Sequence, residues 1–110
     1  MTKIIQLYFR IGAIAIFAVA TPSCKRPEYT SGEQIFRGEC VKCHKLNGSG
    51  GTKGPDLSSV FSKKDEMTIR SVIQDPRSVK PDGTMPPAKL SDHELDLIIQ
   101  YLKEHNKPGS

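Results

Sequence analysis

Apolar positions recur at helical spacing in three stretches of the chain, and between them the periodicity fails. The last stretch is the clearest. Leu95, Ile98, Ile99 and Leu102 fall on one helical face. Ser91 and Glu94 form a capping box ahead of them, and Asp92 and Glu94 suit the positive end of a helix. A helix is therefore predicted from Ser91 to about His105. Tyr101 can face either the first helix or solvent, and His93, among acids in the first turn, is expected to be exposed. In the middle stretch, Ser62 to Gln74, Met67, Ile69, Val72 and Ile73 make a looser stripe. Ser62 with Asp65 approximates a cap there, and Asp75-Pro76 ends the helix. The first stretch, Ser31 to about Cys43, opens on Ser31 and Gln34 as a capping box and carries Ile35, Phe36 and Cys40. Gly32 lies four residues before Phe36, and a small residue on that face lets another helix cross closely.

The intervening segments read as loops. Leu46 to Gly54 contains Gly48, Gly50, Gly51 and Gly54, which makes a regular element unexpected. Its glycines lack the order of a phosphate-binding loop. Arg77 to Lys89 carries Pro81, Pro86 and Pro87, which exclude helix, and Gly83, which permits a tight turn. Three helices and no strand pattern predict a small all-α domain over residues 31–107.

The N-terminus has a different character. Lys3 and Arg10 precede the apolar run Ile11 to Ala20, which is too short to span a bilayer comfortably. This pattern predicts an export signal over residues 1–23. Ala18-Val19-Ala20 offers a cleavage site that would release a soluble periplasmic protein. Thr21-Pro22-Ser23-Cys24 resembles a bacterial lipobox, which would make Cys24 the lipidated first residue and place the protein on the periplasmic side of a membrane. Thr21 and Pro22 depart from the usual lipobox residues. Lipidation accounts for a cysteine that is otherwise left over. Residues 24–30 are polar, contain Pro27, and read as a flexible tether.

Charge changes this picture little. The formal charge is +4, and Lys3 and Arg10 belong to the leader. The remainder is about +2, too little for a nucleic-acid binder. The cysteines change it decisively. Cys40-Val41-Lys42-Cys43-His44 is the C-x-x-C-H signature of covalent haem attachment. Thiols three apart on a helix share a face, where each can add across a vinyl group of one porphyrin. His44, four residues from Cys40, lies on that face and can reach the iron as proximal ligand. Structural zinc would need a second such pair, and thioredoxin-like chemistry would need a βαβ setting; neither is visible. Pro55 fixes a bend and leaves its C=O free, well placed to hold the other nitrogen of His44. Met85, followed by Pro86 and Pro87 in a stiff loop, is the sixth-ligand candidate. Met67 could ligate on residue type alone, but a methionine on a helical stripe is expected to pack in the core.

With these residues placed, the chain resembles the class I, single-haem bacterial cytochrome c family. The marks are Gly32-x-x-x-Phe36, Cys40-x-x-Cys43-His44, Gly54-Pro55-x-Leu57, Met85-Pro86 and the final helix with Tyr101-Leu102. The resemblance implies an all-α fold of three main helices around one covalent haem c. It implies that the first and last helices cross near Gly32, Phe36 and Tyr101, and that His44 and Met85 are the axial pair. The expected function is then electron transfer, with no enzymatic turnover and no small-molecule substrate. Membrane-bound respiratory enzymes are the expected redox partners, and Lys42, Lys45, Lys80 and Lys89 are candidates for steering an acidic one. A haem subunit of a larger oxidoreductase complex is an alternative. An open-site peroxidase or gas sensor is another, although no catalytic acid or base is recognisable near Met85.

Overall fold

The computed structural model of the chain describes residues 14–20 and 24–108. Lys3 and Arg10 of the expected export signal, and Thr21 to Ser23 at its expected processing site, lie outside these residues. Ile14 to Ala20 carry no regular structure, and Ile14, Ile16, Phe17 and Val19 are exposed. Among the described residues no helix is long and apolar enough to cross a membrane.

The first helix is shorter and less regular than its sequence suggests. Ser31 caps it, its Oγ accepting from Gln34 N at 3.2 Å. The Gln34 amide oxygen turns to Thr30 instead of closing the box, accepting from Thr30 N at 3.0 Å. One α-helical turn, α1 (Gly32–Ile35), runs into a π-helical segment over Phe36–Cys40. There Val41 N donates to Phe36 O at 2.9 Å, one residue beyond the α pattern. Such π turns gather at functional sites, and this one ends on the first haem-motif cysteine.

The loop after the motif contains a minimal hairpin that the glycine density obscured. β1 (Lys45–Leu46) pairs antiparallel with β2 (Ser49–Gly50). Asn47 at φ 50° and Gly48 at φ 88° form the turn. An Asn-Gly pair is the preferred two-residue link for such a hairpin, because both residues tolerate positive φ.

The middle helix is split. α2 (Val60–Lys63) ends as Lys64 turns extended, and α3 (Glu66–Gln74) starts afresh. The cap is Asp65 rather than Ser62: its carboxylate accepts from Thr68 N at 2.7 Å. Ile69 and Ile73, one turn apart, face the core. Met67 sits about 200° around the helix from Ile69 and is 78% exposed, so it is not the core residue expected. Pro76 then opens one more turn, α4 (Pro76–Val79), where irregular chain was expected from Arg77. Proline is well suited to that first helical position.

The last helix, α5 (Asp92–Glu104), has both halves of its capping box formed. Its stripe of Leu95, Ile98, Ile99 and Leu102 packs with Ile35, Phe36, Leu46, Val60, Ile69 and Ile73 as the core. The crossing of α1 and α5 falls where expected. A side chain added at Gly32 would run into the Leu97 carbonyl oxygen and Tyr101 Cβ. Tyr101 lies with its ring 6.0 Å from that of Phe36, so it faces the first helix. Across the other side, Arg70 joins α3 to α5 through Asp96 at 2.7 Å, and is itself held by Glu66, one turn earlier on α3, at 2.9 Å. His93 is exposed, as expected. The expected small all-α architecture is thus present, and among the described residues the hairpin supplies the only strands.

Candidate haem-attachment site

The haem motif leaves the π segment as a single helical turn. Cys43 N and His44 N both donate to Cys40 O, at 3.1 and 3.0 Å. A helix that stops here frees the carbonyls of its last residues. The glycine-rich loop returns to satisfy them: Gly51 N bonds Val41 O at 2.8 Å, Gly54 N bonds Cys43 O at 2.7 Å and Leu57 N bonds Lys45 O at 2.8 Å. Those glycines are required by contact. A Cβ on Gly51 would meet the Lys42 carbonyl, and one on Gly54 would lie 2.7 Å from His44 Nδ1 and 3.0 Å from Nε2.

His44 is buried, and its Nδ1 lies 2.8 Å from Pro55 O. A carbonyl can only accept, so Nδ1 carries the proton and donates it. In the neutral ring Nε2 then keeps its lone pair, the form that binds iron. The acceptor expected at Pro55 is thus present beside His44. Cys40 and Cys43 are both free thiols. Burial pushes the Cys40 thiol up to about 11, with the Glu39 charge adding to the effect. Among the described residues no three His, Cys, Asp or Glu side chains converge as a metal site. A buried histidine with one bare nitrogen, beside two unpaired thiols at C-x-x-C spacing, fits a covalently held haem.

The structure brings Cys40, Cys43, His44 and Pro55 together. Met85 is in a different segment, half-buried between the Lys80–Gly83 turn and Ala88, whose N–H bonds Ile73 O at 2.9 Å. Met67, by contrast, points into solvent. Cys24 is exposed on the N-terminal segment. Residues 24–30 have no regular structure, but Arg26, Tyr29 and Thr30 are hydrogen-bonded to the domain. Two contributions escaped the sequence reading. Gly54 as the surface under the imidazole was signalled only by its place before Pro55. Arg26, bonded to Glu94 at a separation of 68 residues, had no local signal at all.

The fold and the site together define a c-type haem protein of the smallest all-α kind. The cytochrome c family model matches residues 29–106. A cytochrome c-551 of Bacillus subtilis (strain 168) is 35% identical over 75 residues, which cover 68% of this chain and 62% of that protein. A cytochrome c-550 of the same organism is 35% identical over 68 residues, covering 62% of this chain and 56% of that one. A cytochrome c of Nigella damascena is 27% identical over 97 residues, covering 67% of this chain and 86% of its own. The chain belongs to the cytochrome c family, whose cofactor is covalently bound haem c. It spans less than two thirds of the length of the two bacterial relatives.

Proposed function

We propose that the protein is a single-haem electron carrier with His44 and Met85 as axial ligands. It would be exported to the periplasmic side of a bacterial membrane, anchored there through an acylated Cys24 or soluble if cleaved after Ala20, and would exchange electrons with membrane-bound respiratory enzymes. The observation that carries this reading is the Nδ1–H bond from His44 to Pro55 O, which presents Nε2 for ligation. Bound haem supplies a one-electron Fe(II)/Fe(III) couple. The residues supply the rest. Cys40 and Cys43 hold the macrocycle by two thioethers. Pro55 fixes the orientation and tautomer of the His44 ring. Met85 would supply a soft sulfur ligand, which would disfavour the extra charge of Fe(III) and so raise the potential. With His44 and Met85 both bound, the iron would have no site for a substrate, which would separate a carrier from a peroxidase or gas sensor.

One preparation from the native host tests the ligands, the haem and the anchor. The oxidised protein is expected to show the weak far-red charge-transfer band of a methionine–iron bond, and the reduced protein to bind CO only slowly. Intact mass should show one haem and an acylated N-terminus at Cys24. Rapid CO binding without the red band would remove Met85 as ligand. A mature N-terminus at Thr21 without acyl chains would remove the anchor.

A further inference from the structure

The cluster that the haem site does not use lies where the N-terminal segment meets the start of α5. Glu94 is 2% exposed, yet carries a charge. Both its oxygens are taken: Arg26 Nη1 and Nη2 reach Oε1 and Oε2 at 2.8 Å each, as a two-pronged pair. Tyr29 N adds a bond to Oε1 at 2.9 Å and Ser91 N one to Oε2 at 2.8 Å. The Arg26 pair and these backbone donors hold the Glu94 carboxyl well below the usual carboxylate range. The guanidinium also stacks 4.7 Å above the Tyr29 ring. Its Nη2 makes one more bond, to Lys89 O at 2.6 Å.

That last bond matters because of what precedes Lys89. Met85 is joined to it through Pro86, Pro87 and Ala88. Two consecutive prolines have fixed φ and transmit position stiffly. Ala88 N is pinned to Ile73 O at 2.9 Å, and Lys89 O is pinned by Arg26. Planar, two-pronged arginine pairs fix geometry as well as charge.

We infer that Arg26 is a positioning residue for Met85: a guanidinium from outside the helical domain clamps the exit of the ligand loop to the first turn of α5. This rests on the proposed role of Met85 as axial ligand. It also shortens the free part of the tether to Cys24 and Lys25, which at full stretch span about 7 Å.

The test uses full-length, haem-loaded protein with Arg26→Gln and Arg26→Lys. Arg26 is at the surface, so both variants should fold. Two readouts are followed at one pH: displacement of the sixth ligand by added imidazole in the oxidised protein, and amide hydrogen exchange across residues 84–90. Arg26→Gln should bind imidazole about tenfold more tightly, the scale of one charge-assisted hydrogen bond lost, and exchange faster in 84–90 while α3 stays protected. Arg26→Lys should recover part of both. Unchanged imidazole affinity and unchanged loop exchange would overturn the clamp. Faster exchange spread evenly through α3 and α5 would overturn it too, because Arg26 would then be general support. If the parent protein lacks the red methionine–iron band while 84–90 still loosens in Arg26→Gln, the clamp on the loop stands and the ligand assignment of Met85 fails.

Discussion

Replacing Gly32 by alanine separates helix propensity from helix crossing, because the two predict opposite signs. By propensity alone, Gly→Ala in a helix gains up to about 1 kcal/mol. The crossing opposes this. The new methyl would run into the carbonyl oxygen of Leu97 and Cβ of Tyr101, and would lie 3.1 Å from the Leu97 carbonyl carbon. None of these is the far end of a flexible side chain. Relief requires α1 to move off α5, where Ile35 and Ile98 are completely buried. Overpacking of this kind costs about 1–3 kcal/mol. The net expectation is a loss of about 1–2 kcal/mol, or about 5–15 °C in Tm for a domain this size. Gly38→Ala is the internal control. Its methyl would meet only the hydroxyl end of the Tyr29 ring, which can swing away at the cost of its 2.8 Å bond to Glu39. One exposed hydrogen bond lost, about 1 kcal/mol, roughly offsets the propensity gained. Guanidinium unfolding of the haem-loaded proteins, followed by both far-UV CD and Soret absorbance, measures the difference. A Gly32→Ala midpoint at or above the parent value would refute the close crossing.

Three further outcomes are expected. Gly54→Ala places a methyl against the His44 ring and should break its bond to Pro55. The midpoint for loss of the histidine-ligated Soret spectrum then falls by the equivalent of about 1 kcal/mol, and an unchanged midpoint would show that the ring does not depend on Gly54. Glu94→Gln tests the buried carboxylate through pH. The native carboxyl is depressed, so its contribution is fully present above the unfolded value of about 4.3 and is lost as pH falls from there through the native value. The parent protein's denaturation midpoint should drop steeply below that pH and the variant's much less; parallel curves would mean Glu94 does not drive the acid response. Exposed Lys42, Lys80 and Lys89 predict that oxidation by anionic hexacyanoferrate slows as ionic strength rises from about 0.01 to 0.15 M, where screening shortens from about 30 to 8 Å. A rate indifferent to salt would remove them from any steering role.

What could be read from the sequence was what lies within a few residues of itself. The capping box at Ser91 and Glu94, the C-x-x-C-H spacing and the acceptor at Pro55 are short-range patterns, and each has its expected place. The misreadings come from two neighbours competing for one role. Asp65 and Ser62 both suit a helix cap; the carboxylate wins Thr68 N, and the helix breaks at Lys64. Asn47-Gly48 specifies a hairpin turn, but the surrounding glycines argue for loop, and the turn prevails over only two pairs. Met67 looked apolar enough for the stripe until Ile69 and Ile73 fixed which face is inside. The Arg26–Glu94 pair had no sequence signature, since nothing local tells a buried charge in a capping box from an exposed one.

That division also orders the two sides of the site. The orientation of His44 is set by contacts among residues 40–57, all within one short loop closed on its own helix end. The segment of Met85 has no such local frame. It is held at Ala88 by Ile73 and at Lys89 by Arg26, residues that come into place only when α3, α5 and the N-terminal segment are packed together. Loop closure over longer separations costs more entropy and depends on more of the fold. A perturbation of helix packing therefore acts first on the segment of Met85, and leaves the frame around His44 in place. With Met85 as the proposed sulfur ligand, the residues that hold its loop are where this chain would tune its haem without touching Cys40, Cys43 or His44.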